Sequence, residues 1–239
     1  MGQIKAVALD FDNCIILDWE TRKGSEEVKD EAWFKVFPEI PRMELEPELE
    51  KIKQRIVGGK GDQWDVAWHI ILMFSSRLTP RTDGVPMHTI TEPHFRCTTF
   101  NNHVQEGIKE IGVSEIVRQT LAALSKTVPL YINTATPTDA VLQSLDNLAL
   151  TKYFKSVLGR PKSKAENLST MLLSEDLARP TELLFVGDQP SDLIAAQKIG
   201  CRFVGMQTAR NTAWYNTPLP FPLIFSLAEL TSIVKNHPW

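Results

Sequence analysis

The stretch ELLFVGDQPSDLIAAQKIGCRFVGM, residues 182–206, reads as one complete strand–helix–strand unit. Glu182 to Val186 is a short apolar run with the length of a buried strand, and Gly187-Asp188 closes it. Ser191 to Ile199 follows as a helix ended by Gly200, the residue that takes the left-handed C-terminal conformation without steric cost. Arg202 to Met206 is the second strand. Alternating strand and helix is the pattern of a parallel α/β sheet.

The pattern extends outward in both directions. Ile4 to Leu9 is a near-continuous apolar run that stops at Asp10-Phe11-Asp12-Asn13, as suits a central strand covered on both faces. Val113 to Lys126 is an amphipathic helix and Val128 to Asn133 a strand. Thr136 then reads as an N-cap, with Pro137 at the first helical position. Ser163-Lys164-Ala165-Glu166 is a capping box, which puts Lys164 in the first turn of another helix. Ser226 to Asn236 is the last helix. The expectation is a Rossmann-like parallel sheet core built from residues 1–17 and 111–239. Residues 18–110 differ in character: charged residues interleave with Trp, Phe, Ile and Leu at helical spacing, with helices at Glu48 to Val57 and Asp62 to Phe74. Leu78 to Phe95, rich in Pro, Thr and His, reads as a long loop. This segment is expected to be a mainly helical insertion.

The bulk properties agree with a core plus a subdomain. The chain has 239 residues, 43% of them hydrophobic, enough for a sizeable core. A net charge of -3 with Lys and Arg spread along the chain excludes the concentrated basic footprint of a nucleic-acid binder. Three scattered cysteines, Cys14, Cys97 and Cys201, define no zinc or disulfide framework. No run approaches a membrane span, and the N-terminal apolar run is too short for a signal peptide. A cytoplasmic protein without membrane partners, monomer or homodimer, is expected.

Chemistry gathers at the strand ends. Asp10 and Asp12 follow the first strand; alternate residues project to one side, so both carboxylates face one pocket. A lone pair of this kind is more often a solvated loop. Asp188 after a second strand changes the balance, because carboxylates converging from separate strands make a hard-oxygen site that suits Mg2+. Asp192, four residues on, serves either that site or its own helix N-terminus. Thr134 adds a hydroxyl at a third strand end, beside backbone N–H groups near a helix start. Lys164 offers a point charge for a phosphoryl oxygen, in a first turn where a cation opposes the helix dipole.

In this order, DFDN (10–13), INTATP (132–137), KSKAENL (162–168) and FVGDQPSDLIAAQKIG (185–200) resemble the four motifs of the haloacid dehalogenase-like (HAD) hydrolases. The insertion is similar to the helical cap of the phosphoglycolate phosphatase and β-phosphoglucomutase branches. The resemblance implies Asp10 as nucleophile, Asp12 as general acid and base, Thr134 as a hydroxyl on the phosphoryl group and Lys164 as its countercharge. It implies Mg2+ held by Asp10, the Asp12 carbonyl and Asp188, with Asp192 in support directly or through water. The implied activity is hydrolysis of a small phosphorylated metabolite through an aspartyl phosphate. A phosphomutase, a phosphonate hydrolase and a non-catalytic binding module stand as alternatives.

Asn13 replaces the glycine usual in that family, and asparagine tolerates the positive φ such a turn needs. Cys14 is expected to pack near the site without acting as a nucleophile, and Lys162 competes with Lys164 for the third motif. In the insertion, Gly58-Gly59-Lys60-Gly61-Asp62 is the candidate loop over the site. Gly59, Lys60 and, from the core, Ala135 are the candidate substrate contacts. Arg22 and Lys23 are weaker candidates, Trp64 and Trp68 are read as core, and His88, His94, Cys97 and His103 as non-metal.

Overall fold

The computed structural model describes residues 3–17, 24–56, 61–78, 91–208, 214 and 219–236. The chain divides into two compact units, Met1–Ser25 with Ile108–Trp239, and Glu26–Gly107.

The first unit is built on a six-stranded sheet in the order β3-β2-β1-β4-β5-β6. Its strands are β1 (Ala6–Leu9), β2 (Leu130–Pro137), β3 (Ser156–Arg160), β4 (Leu183–Gly187), β5 (Arg202–Met206) and β6 (Leu223–Ile224). Every pairing is parallel. β1 lies at the centre, with Val7 opposite Leu130 on one side and Leu184 on the other. This is a doubly wound order, in which ligands collect outside the carboxyl ends of the strands where the order reverses. All four residues of β1 and all five of β4 are buried, as their unbroken apolar sequences require.

Helices α5 (Glu115–Leu124), α6 (Thr138–Asn147), α7 (Lys164–Ser174), α8 (Pro190–Ile199) and α9 (Leu230–Asn236) connect or follow the strands. Ala6, Ala8, Leu183, Phe185 and Phe203 of the sheet form one core cluster with Ala165, Leu168 and Met171 of α7 and Ala195 and Ala196 of α8. Phe185 and Phe203 meet edge to face, 6.1 Å apart. Side chains of this size contribute about 1.5–3 kcal/mol each when fully buried.

The second unit holds α1 (Ser25–Val36, from its second residue), α2 (Arg42–Ile56), α3 (Gln63–Phe74) and most of α4 (Thr91–Ile111). Trp33 stacks on Phe100 at 4.1 Å, and Val66, Ala67, Ile70 and Ile71 form the buried stripe of α3. Buried Arg96 donates to Glu92 at 2.8 Å and lies over the Phe37 ring.

Four sequence expectations are corrected here. Residues 91–95 are helical, since Pro93 sits in the first turn of α4, where a missing N–H costs nothing. Helix α6 begins at Thr138; Thr136 and Pro137 still belong to β2, and the Thr136 hydroxyl is engaged elsewhere. Strands β3 and β6 are additional to those read from the sequence. Trp64 and Trp68 are half-exposed, stacked on each other at 5.6 Å and not part of the α3 core stripe. Among the described residues, no helix is long and apolar enough to cross a membrane.

Candidate active site

Asp10 follows β1 directly, and its N–H donates to the Val186 carbonyl at 2.8 Å, extending the β1–β4 pairing by one residue. The backbone of Asp10 is therefore as fixed as the sheet. Its Oδ1 accepts from the Phe11 N–H at 2.9 Å, and its Oδ2 lies 3.1 Å from Lys164 Nζ. The Ser163 capping box sets where Lys164 starts α7: Ser163 Oγ accepts from the Glu166 N–H, and Glu166 returns the bond to the Ser163 N–H. The carbonyl of Lys164 accepts from Asn133 Nδ2 at 3.1 Å.

Lys164 Nζ also donates to Asp192 Oδ1 at 2.5 Å, while Asp192 Oδ2 accepts from the Gln189 N–H at 3.0 Å. Asp192 is fully buried at the N-terminus of α8, so it serves the helix end and the lysine together. Gly187 makes room for it: a Cβ there would stand 2.4 Å from Asp192 Cβ and Cγ. Asp188, next along, accepts on Oδ2 from Gln189 Nε2 at 2.8 Å and from Asn13 Nδ2 at 3.5 Å. Asn13 takes the expected left-handed conformation, with φ 55°. Its side chain thereby ties the loop after β1 to the carboxylate after β4.

At the end of β2, buried Thr134 accepts on Oγ1 from the Thr136 N–H at 3.1 Å. Its own hydroxyl proton remains to be donated. Thr136 Oγ1 donates to Asp12 Oδ2 at 2.8 Å. The elements thus bring Asp10, Asp12, Thr134, Lys164, Asp188 and Asp192 to the carboxyl edge of the sheet, with Ala135 exposed beside Thr134. Lys162 is exposed and stands outside the Asp10–Lys164–Asp192 ion pairs. Gly58, Gly59, Lys60, Arg22, Lys23 and His88 lie outside the described residues. Asn133, Thr136 and Gln189 are site neighbours that the sequence reading did not single out. A polar side chain at a buried strand end is the signal that marks Asn133.

The electrostatics follow from burial. Desolvation pushes the Asp10 carboxyl well above its ordinary range; Lys164 opposes this, and Asp192, Asp188 and Asp12 add to it. Burial, then repulsion from Asp192, raises Asp188 to about 7 against the bonds from Gln189 and Asn13. Burial works against the Lys164 cation, but Asp10 and Asp192 outweigh it and hold its pKa above the usual lysine value. Burial likewise drives the Cys14 thiol well up, helped by Asp188 and Asp10. The Lys164 cation opposes this rise but is outweighed, so the surroundings of Cys14 disfavour the thiolate that a nucleophile needs.

Ligand atoms of Asp10, Cys14 and Asp188 lie within 4.8 Å of one another, the one such group among the described residues. Two buried carboxylates whose negative charge is disfavoured by their neighbours suit a hard divalent cation, which oxygen donors prefer. The thiol is the poorer partner for such an ion.

Residues 74–206, more than half of the chain, match the haloacid dehalogenase-like hydrolase family. The chain belongs to that family. Asp10 and β1 lie outside the matched stretch and join it through the sheet. A phosphoglycolate phosphatase from Photorhabdus laumondii is 38% identical over 100 residues, 40% of this chain and 43% of the relative, so the match spans less than half of the relative's length. Among solved structures, a predicted phosphoglycolate phosphatase from Haemophilus somnus superposes with TM-score 0.67 at 20% identity, over 98% of this chain and 100% of its own. A Bacillus subtilis protein described as the HAD-hydrolase YfnB, bound to magnesium, superposes with TM-score 0.67 at 16% identity, over 98% and 100%. At those identities the two structures establish a shared HAD fold.

Proposed function

We propose that this protein is a Mg2+-dependent phosphatase that hydrolyses a small phosphate monoester in the cytoplasm through an aspartyl phosphate on Asp10. The observation that carries the reading is the Asp10 carboxylate itself. It is buried at the sheet's carboxyl edge, pinned by the Phe11 N–H, and faces Lys164 at 3.1 Å. A carboxylate oxygen presented beside a fixed ammonium is suited to meet a phosphate, because the ammonium cancels the repulsion between the two anions.

Asp10, Asp188 and the Asp12 carbonyl would hold Mg2+, which when bound supplies charge neutralisation at the phosphoryl oxygens. Both Asp192 oxygens accept hydrogen bonds from protein donors, which favours a supporting role through Lys164 over direct ligation. Asp10 attacks phosphorus and the ester P–O bond breaks. Asp12 gives its proton to the leaving alkoxide. Asp12 then takes a proton from the water that attacks the phosphoaspartate, and phosphate leaves with Asp10 restored. Thr134 donates its hydroxyl proton to a phosphoryl oxygen, and the backbone at Ala135 lies alongside. The unit Glu26–Gly107, carrying Gly59 and Lys60, is proposed as the cap that selects the substrate. The Photorhabdus relative makes phosphoglycolate the first ester to test.

The test measures phosphate release from a panel of small esters with Mg2+ and with excess EDTA, for wild type and Asp10→Asn. Release that needs the metal and falls at least about 10³-fold in the variant is expected, since the amide is no nucleophile. Full turnover by Asp10→Asn, or in EDTA, sinks the reading. Dependence on a sugar bisphosphate would redirect it to phosphoryl transfer between sugar hydroxyls.

A further inference from the structure

We infer that Thr136 is a positioning residue for Asp12, and that its hydroxyl sets how well the protein handles esters with poor leaving groups. The inference rests on the phosphatase reading above and on Asp12 as its acid and base.

Three features point to this role. Thr136 Oγ1 donates to Asp12 Oδ2 at 2.8 Å, joining the end of β2 to the loop after β1 across 124 positions of sequence. The Thr136 N–H donates to Thr134 Oγ1, so the residue's backbone is held by the neighbouring site hydroxyl. The β2–β3 register shifts between Asn133 and Pro137, the kind of irregularity that re-aims side chains beside active sites. Gly159 of β3 seals the arrangement. A Cβ there would stand 2.3 Å from the Thr136 carbonyl, so the absence of a side chain lets β3 close on Thr136.

A carboxyl that must deliver a proton to one atom and then collect one from water needs a fixed orientation. A hydroxyl donor on one of its oxygens supplies that. General acid catalysis contributes most when the departing alkoxide is strongly basic and little when the leaving group is already stable as an anion. Misplacing Asp12 therefore costs more on an alkyl phosphate than on an aryl phosphate carrying a nitro group.

The experiment compares kcat/KM for phosphoglycolate and p-nitrophenyl phosphate in wild type, Thr136→Val and Thr136→Ser, with thermal unfolding as a check on folding. Thr136→Val keeps the shape and removes the donor. It is expected to lower the alkyl-to-aryl ratio of kcat/KM by about tenfold, a part of the whole acid–base contribution. Thr136→Ser restores the hydroxyl and is expected to return the ratio to within about threefold of wild type, since the same donor is present. An unchanged ratio in Thr136→Val overturns the inference. So does an equally lowered ratio in Thr136→Ser, which also decides the matter if the valine variant fails to fold. Absence of phosphate release by wild type from either ester overturns the phosphatase reading, and this inference with it.

Discussion

Lys164 stands between two buried carboxylates, 3.1 Å from Asp10 and 2.5 Å from Asp192, and no other described cation pairs with either. Removing one partner of a buried ion pair leaves uncompensated charge behind, at a cost of about 3–5 kcal/mol. Lys164→Met keeps the length of the side chain and deletes that charge. It is expected to destabilise the fold by about 3 kcal/mol at pH 7. The cost should shrink at pH 5, because Asp10, already raised by burial, rises further without the lysine and takes up a proton instead. Denaturant unfolding at the two pH values checks this; an equal loss at both would mean that packing, not charge, is what Lys164 provides. Asp10, Asp188 and Asn13 were legible at this scale because each breaks a local rule: acids at the ends of buried strands, and asparagine where a glycine is usual. Asn133 carries the signal of a polar side chain at a buried strand end, but its partner is not legible, since its bond to the Lys164 carbonyl exists only after two distant segments meet.

At the level of elements, the close approach of α8 to the end of β4 depends on Gly187. An added methyl would stand 2.4 Å from Asp192 Cβ and Cγ, within a buried turn that has little room to yield. Gly187→Ala is expected to cost about 1–3 kcal/mol from overpacking. It should also lower turnover, because the displaced Asp192 loses its grip on Lys164. Unfolding midpoints and phosphate release from the purified variant test the two effects, and a fully stable, fully active variant would refute both. The elements themselves were readable wherever one signal dominated. The Ser163 capping box and the left-handed Gly200, φ 78°, fall where the sequence puts them. Thr136 misled because Thr-Pro is a strong helix-start signal, yet Asp12 competes for the same hydroxyl and β2 runs on through Pro137. Strand β3, SVLGR, escaped because it is short, mixed in polarity and contains a glycine. The Trp64–Trp68 pair has core spacing, but α3 turns its Val66–Ile70 stripe inward and leaves the two rings stacked at its side.

For the whole molecule, the site trades stability against pH in a direction opposite to most folds. The usual paired Asp has a lowered pKa and stabilises the native state above it. Asp188 is raised to about 7, so between its unfolded value near 3.8 and pH 7 the native state holds a proton that the unfolded chain has lost. The metal-free fold therefore loses stability from this group as pH rises through that window, and the loss is complete above 7. On the proposed reading, a divalent cation bound by Asp188 would take the place of the proton. Below pH 7 the two compete, and affinity should fall by at least about tenfold for each pH unit, Asp10 being raised as well. With Mg2+ at a hundred times its dissociation constant at pH 8, the expected stabilisation is about 2.7 kcal/mol. At the same Mg2+ concentration and pH 6, the stabilisation should drop to about 1.4 kcal/mol or less. Thermal unfolding with Mg2+ and with EDTA at both pH values gives the comparison. Asp188→Asn should abolish the Mg2+ increment and, having no buried charge to form, raise the metal-free midpoint at pH 8. A Mg2+ increment that is equal at both pH values, or that survives in Asp188→Asn, would place the cation away from the end of β4.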